Sequence, residues 1–550
     1  MSYFDLGKHS WPVSTRSRKA QKWFDRGLLW TYGYNHEEAV RCFKKSLKHD
    51  PGLAMAHWGI GYASGPNYNM EWHLFDDAGR AQALAVGYDS VAAARACADD
   101  CTQVELALIE ALSKRYPQRD VIEDMTPWND DFANAMRLVF QKFPDQLDIR
   151  TIFVEALLNR FPWRMWDLHS GAPTPGADSK EAREVCETAM RDDPGAMQHP
   201  GLLHLYVHLM EMSSEPEAAL KAGDALRRLC PDAGHLIHMP THIDVLCGDY
   251  QAVRDWNEAA VQADLKYYNR RGAFDIYTGY RQHNYHFAMA GAMFLGQFEP
   301  AMAMARGIRE TTPEEMLRME SPPMADYFEA YLAFEPHILI RFGKWREATE
   351  LPLPNDPVLY CTGVANTLYA RALGHAALGE VAKAEQAQEA YRIATEAVPW
   401  SRYLHTNKVR KLLEIGEAML AGEIDYRKGN YSSAFEHLRH AVHLDDNLNY
   451  DEPWGWMQPT RHALGALLFE QGHVDEAEHV FRQDLGLADG LPRACIHPDN
   501  IWALKGLYDC LSAKGESSEL AQIEQRLTLA QARTDIPVKA PCGCAQAAMH

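Results

Sequence analysis

Apolar and small residues recur along most of this chain at intervals of three and four, the spacing that lays a stripe down one face of a helix. The segment from Ala20 to Pro51 carries the arrangement most fully, with Trp23, Gly27, Ala39, Phe43 and a terminal Pro51. Trp23 and Gly27 let two antiparallel helices approach, and Ala39 is the small residue at their crossing. Pro51 stops the second helix because it has no backbone N–H to continue the ladder. A single hairpin of this kind cannot bury its own apolar face and needs neighbours. Those follow, each marked by a turn of glycine, a polar residue, an aromatic or aliphatic residue, two variable positions and a small residue. GDYQAV (248–253), GQFEPA (296–301), GKWREA (343–348), GEVAKA (379–384), GNYSSA (429–434) and GHVDEA (472–477) are such turns. Divergent units close at Pro194 and Pro231. Roughly nine to eleven helical hairpins are expected, so the 550 residues read as stacked repeats, not as three or four compact domains.

This spacing resembles the tetratricopeptide-repeat (TPR) family. The stretches HPGLLHLYVHLMEMSSEPEAAL, GHLIHMPTHIDVLCGDY, YGYNHEEAVRCF and AMAHWGIGYASGPNYN are similar to long bacterial TPR proteins described mainly by their repeats. HLYVHLMEM and HNYHFAM are distantly similar to the animal protein called tetratricopeptide repeat protein thirty-eight. The resemblance implies an all-α, TPR-like α-solenoid, a right-handed superhelix with a concave groove, and transfers no chemistry. Residues 1–130 are expected to form N-terminal repeats, 131–320 central repeats, 321–533 C-terminal repeats, and 534–550 a cysteine-containing tail. Two stretches break the register. Phe161 to Ala182, rich in Pro, Gly and Trp, reads as a loop inserted within one repeat. About fourteen residues are extra near YYNRRGAFDIYTGY, judged against the usual TPR period. The tail after Arg533 loses helical periodicity and should be extended or loosely ordered.

The central repeats carry the candidate chemistry. With three repeats aligned on their turns, the second, fifth and ninth positions of each first helix share the groove face. Those positions are Gly201, His204 and His208, then His235, His238 and His242, then His283, His286 and Ala290. With 25 histidines in 550 residues, nine blind choices would hold about 0.4 of them, and here they hold seven. Neighbouring helices pack about 8 to 10 Å apart, so imidazoles from adjacent first helices can share an ion. A single histidine on a helix, such as His36, His337 or His462, is more often a core or surface residue. Glu211 follows His204 and His208 on the same stripe and is expected as a ligand or general base. Imidazole-rich ligation suits zinc, copper or iron over magnesium or calcium. Seven histidines exceed one tetrahedral shell, so either two ions are held, the favoured reading, or some of the histidines support the ligands or act as acid/base groups of a mononuclear site.

Several weaker features adjoin this cluster. Tyr32, Asn35, His36, Asn67, Tyr68 and Asn69 fall at turns or helix ends of the first two repeats, where they could line one mouth of the groove. Trp163, Trp166 and His169 on the inserted loop could cover it as a lid. Cys542 and Cys544, with Met549 and His550 behind them, offer auxiliary soft ligands.

Composition narrows the function. With 55 Lys+Arg against 75 Asp+Glu, the formal charge of −20 disfavours nucleic acid and anionic membranes as partners. There is no apolar run of about 18 residues. The start lacks the pattern of a signal peptide, so a cytoplasmic location is expected. The other cysteines, scattered through helical pattern, read as reduced core thiols. The expected activity is that of a metal-dependent enzyme, an oxidoreductase or oxygenase acting on a small molecule, with a zinc-dependent hydrolase as the alternative chemistry. A second class of function is a scaffold that clasps a peptide in the groove, with a structural metal or none. No phosphate loop or nucleophile elbow is present.

Overall fold

The computed structural model describes residues 3–515 and 517–546. These residues form helical hairpins joined by short turns, and the one strand pairing within a named sheet is a two-residue ribbon, Tyr403–Leu404 with Asn407–Lys408. The all-α, TPR-like repeat architecture is therefore what the chain adopts. The chain divides into two compact units, Met1–Ile243 with Ala259–Arg281, and Asp244–Glu258 with Gln282–His550.

In the first unit, Arg18–Tyr32 pairs with His36–His49, Ala54–Ser64 with Asp77–Ala96, Gln103–Arg115 with Thr126–Lys142, and Leu147–Leu158 with Ser179–Asp192. Pro200–Met210 follows and packs on Leu147–Leu158 and Leu220–Leu226. Local chemistry starts these helices where the sequence asks for it. Ser17 accepts from the Ala20 amide, Asn35 from that of Glu38, and Thr102 forms a reciprocal capping box with Glu105. Pro200 opens its helix at a position whose N–H would have no partner.

The second unit holds the regular hairpins Cys361–Ala377 with Val381–Ala397, Val409–Arg427 with Tyr431–Asp446, Thr460–Glu470 with Val474–Asp484, and Ile501–Lys514 with Ser517–Gln531. Its turns repeat one geometry. Gly248, Gly296, Gly343, Gly379, Gly429 and Gly472, the six glycines of the predicted turns, all have φ between 63° and 81°. In each, the amide of the next residue bonds back to the carbonyl five residues earlier, as from Gln297 to Ala292 and from Asn430 to Asp425. That closure needs a left-handed residue, which glycine supplies without a Cβ clash.

Close approach of first helices relies on glycine in another way. Phe43 lies between Gly27 and Gly59, where an added Cβ would come 2.5 and 2.6 Å from the ring. Phe481 lies between Gly465 and Gly506 in the second unit, with the equivalent distances 2.6 and 2.3 Å. The same aromatic wedge thus recurs at both ends of the chain.

Four sequence expectations change. The inserted loop ends at Asp178, because Ser179 already begins the helix Ser179–Asp192. The residues extra near YYNRRGAFDIYTGY mostly lengthen a helix, Tyr250–Arg271, before a short turn leads into Tyr277–Leu295. The stripe His235, His238, His242 is not on one unbroken helix, since Pro240, which lacks an N–H, separates Gly234–His238 from Pro240–Leu246. The tail is held down and is not loose. Asp535 caps the start of Phe298–Glu310 by accepting from the amides of Phe298 and Glu299 at 2.7 and 2.9 Å, and Arg427 donates to the Cys544 carbonyl at 2.8 Å. Val538, Ala540 and Cys544 are buried.

The aromatic wedge yields a direct test. Gly59→Ala and Gly506→Ala should each destabilise by about 1 to 3 kcal/mol through overpacking. Adding Phe43→Leu to the first and Phe481→Leu to the second should return part of the loss, measured by thermal melting. Losses that the leucine changes leave untouched would mean the ring is not what the glycine accommodates.

Candidate metal centre

Five of the seven groove histidines belong to the first unit, and they are contiguous. His204 and His208 come from Pro200–Met210, His235 and His238 from Gly234–His238, and His242 from Pro240–Leu246. Neighbouring ring centroids are 4.7 Å apart for His204 and His208, 4.8 Å for His204 and His235, 5.8 Å for His235 and His238, and 4.7 Å for His238 and His242. All five imidazoles and Glu211 are at most 1% exposed. One nitrogen from each of His204, His208 and His235 lies within 4.8 Å of the others. Gly201, the groove position without an imidazole, leaves room for the Tyr32 ring, which an added Cβ would meet at 2.7 Å.

Hydrogen bonds fix where the protons sit. His204 Nδ1 is 2.7 Å from the Tyr32 carbonyl and must donate to it, so its lone pair is on Nε2. His208 Nδ1 is 3.0 Å from Glu211 Oε1, and His242 Nδ1 is 2.9 Å from Oε2 of the same carboxylate. Glu211 therefore draws the His208 proton to Nδ1 and directs that ring's Nε2 away from it, while its second oxygen stands at ion-pair distance from His242 without hydrogen-bond alignment. Nε2 of His235 faces Nε2 of His204 at 3.1 Å, and Nε2 of His242 faces Nε2 of His238 at 2.8 Å. Two nitrogens each about 2.05 Å from one ion stand about 2.9 Å apart at a right angle and about 3.3 Å apart at the tetrahedral angle. Both separations are those of neighbouring ligands and equally those of an N–H···N hydrogen bond between the rings. Burial, and the neighbouring imidazoles, push the proton affinities of His204 and His235 well below the ordinary histidine value, so both rings are neutral at pH 7.

Aromatic rings enclose the group. Tyr34 stacks on His208 (5.7 Å) and His235 (5.4 Å) and meets His204 edge-on at 4.7 Å. Tyr68 packs on His208 and Tyr280 on His235, while Asn69 supports Tyr280 by a side-chain hydrogen bond. Trp163 meets His208 edge-on at 5.8 Å. Trp166 is an anchor instead, its indole donating to the Leu209 carbonyl at 2.6 Å, and His169 is exposed. Tyr34 is the residue that sequence reasoning missed. It occupies the turn position that is glycine in the six regular turns, at φ 54°, and Asn35 makes the same backward bond, to the Trp30 carbonyl. A tyrosine in that place of the repeat register was the available signal.

His283 and His286 belong to the second unit. His286 Nε2 is 2.9 Å from Met457 Sδ and its ring stacks on Phe334 at 4.3 Å. His283 stacks on His405 at 5.3 Å, and His405 in turn donates from Nδ1 to Asp451. His405, Asp451 and Met457 carried no signal in the sequence, because they come from an isolated ribbon and a loop outside the repeat register. Cys542 and Cys544 are joined as a disulfide, so neither offers a thiolate as an auxiliary ligand. Met549 and His550 lie outside the described residues.

Two other histidine groups are structural by their proton positions. His199 Nδ1 accepts from the Leu202 amide at 3.1 Å, so Nε2 carries the proton and donates to Asp148, which also accepts from Tyr32 and His9. In the second unit, Asp484 accepts from His462, His497 and Asn500.

No family model and no curated protein matches this chain. Among solved structures it is similar to the APC/C hetero-tetramer Cut9-Hcn1 (10% identity, 94% of this chain and 78% of that one, TM-score 0.32). It is also similar to the yeast Tom70 (12% identity, 92% of each chain, TM-score 0.27) and to an IFIT1 monomeric mutant with Gppp-AAAA (10% identity, 94% and 91%, TM-score 0.30). Similarities this loose bear on neither activity nor partners.

Buried neutral imidazoles make the protein acid-labile. Burial pulls His337 and His462 down to about 4 in the folded state. Unfolded, each takes a proton below about 6.5, so the stability they contribute is complete above that pH and is lost as pH falls toward 4. The loss is about 1.4 kcal/mol per pH unit for each such group. Melting temperature should fall between pH 7 and 5 in metal-free protein, and His337→Gln should flatten the fall. A melting temperature that is constant or rises on acidification contradicts this.

Proposed function

We propose that this protein is a metal-dependent enzyme, an oxidoreductase or oxygenase acting on a small molecule, with a His-rich site in its first unit. The observation that carries the reading is the pairing of Nε2 atoms at ligand-to-ligand distance among fully buried imidazoles. His204, His208 and His235 are the ligands proposed for one ion, and His238 and His242 for a second. His283 and His286 are proposed as further ligands in the second unit, where Met457 beside His286 adds a soft donor. An imidazole-dominated set suits copper, iron or zinc.

Glu211 has a different role from the one its sequence position suggested. One of its oxygens accepts from His208 Nδ1 and the other stands 2.9 Å from His242 Nδ1, so it orients His208 and raises that ring's basicity, as carboxylates behind metal-bound histidines do. That leaves it poorly placed as a general base, which favours oxidation over zinc-dependent hydrolysis. A bound transition ion would supply redox chemistry or Lewis acidity. The protein's own part is to hold His204 and His235 neutral, exclude water and wall the site with Tyr34, Tyr68 and Tyr280. Peptide clasping is the weaker reading, because a gripping surface must be exposed and these side chains are not.

Metal analysis of the purified full-length protein, grown with copper, iron and zinc supplied, tests the proposal. About one to two ions per chain are expected; less than about 0.2 would overturn it. His204→Ala with His235→Ala should remove one of them at unchanged helicity, and Glu211→Gln should weaken binding about 10- to 100-fold. Oxygen uptake by the copper or iron form separates oxidation from hydrolysis.

A further inference from the structure

Arg115 ends the helix Gln103–Arg115 in the first unit and is 1% exposed. Its guanidinium is covered by Phe132, 4.1 Å from the ring centroid, and by Tyr62 at 5.0 Å. No carboxylate among the described residues pairs with it, and Nη1 has no hydrogen-bond partner. Burial lowers it only to about 10, so it remains charged at pH 7. The buried carboxyl nearby is no counter-ion. Glu155 accepts from the Tyr62 hydroxyl, and burial raises it to about 8, which keeps it protonated. The one side-chain hydrogen bond of Arg115 is to the neutral Tyr116 hydroxyl. A buried cation without a counter-ion is among the most costly arrangements in a protein, so its retention points to a ligand that completes it.

Two further donors in the same neighbourhood also lack aligned partners. Trp72, 5% exposed, packs edge-on to Tyr116, the residue after Arg115, and its Nε1 is unpartnered. The Asn67 side-chain amide donates to His36 Nδ1 at 3.4 Å, which puts the proton of His36 on Nε2, where no acceptor is well aligned although the Thr31 and Ala63 carbonyls lie beside the ring. Gly65 brings the backbone over these groups, since a Cβ there would lie 2.0 Å from the Tyr116 hydroxyl and 3.5 Å from Arg115 Cδ. Arginine and tryptophan nitrogens can only donate, so whatever completes them must accept. One guanidinium matches a single negative charge, and a planar pair of oxygens fits its fork. That combination is a carboxylate, whereas a phosphate dianion exceeds the charge available.

We propose that Arg115, with Trp72 and His36, binds the carboxylate of a small-molecule substrate whose other end reaches the His204, His208 and His235 group. His36 meets Tyr34 edge-on at 5.9 Å, and Tyr34 stacks on His208 and His235, so one contiguous set of side chains joins the two. The link to chemistry rests on the metal-site reading; carboxylate binding does not.

The test uses full-length protein stripped of metal with a chelator and titrated calorimetrically with sodium benzoate, sodium acetate or inorganic phosphate. The carboxylates should bind and phosphate should not. Trp72→Phe should weaken benzoate about threefold and Arg115→Met at least about tenfold, the scale of one lost charge-assisted bond. Arg115→Met should also melt no lower than wild type without ligand, because it removes an unpaired buried charge, and benzoate should no longer raise its melting temperature. The proposal is overturned if wild type ignores both carboxylates, if phosphate binds as well, if the variants bind benzoate as wild type does, or if Arg115→Met melts far lower. Wild-type protein that binds benzoate yet takes up no metal would retain the carboxylate site and remove the metal centre; metal uptake without benzoate binding would do the reverse.

Discussion

Five imidazoles can be buried together only if each ring proton has a place to go. A single carboxylate does much of this work. Glu211 faces the Nδ1 atoms of both His208 and His242, and the Tyr32 carbonyl does the same for His204. Were two neighbouring rings protonated at once, they would repel each other at low dielectric across ring separations of 4.7 to 4.8 Å. The proton positions are therefore a condition of the fold as well as of any chemistry there.

Asp148 and Asp484 solve the same problem differently. Each carboxylate is buried beneath two histidines, whose charge and hydrogen bonds hold it well below the usual carboxylate range despite burial. There the imidazole protons point at the carboxylate from atoms that would otherwise ligate. At His208 the carboxylate instead accepts from Nδ1, on the other side of the ring from Nε2. The direction of one proton separates a structural clasp from a candidate ligand set, and residue composition alone does not.

Much of the repeat architecture was legible because it depends on local rules. A glycine is required wherever a turn closes through a left-handed residue, and all six predicted turn glycines do so. The histidine stripe was legible for the same reason, since helical periodicity brings His204 and His208 to one face. What escaped depends on tertiary placement. Pro240 breaks a stripe that periodicity treats as continuous, Asp535 and Arg427 fix a tail whose composition reads as loose, and His405 and Met457 come from segments with no periodicity at all. Arg115 could not be singled out either, because an arginine at a helix C-terminus is ordinary until its burial is known.

Tyr34 holds a backbone conformation that costs a non-glycine residue about 1 kcal/mol or more, in a hairpin whose counterparts all spend a glycine there. The first repeat is thus set apart from its siblings by one side chain. Redesign toward the repeat consensus would relax that corner and make the protein hardier, while taking away the ring on which three imidazoles lean. Durability and the enclosure of those imidazoles compete for a single codon.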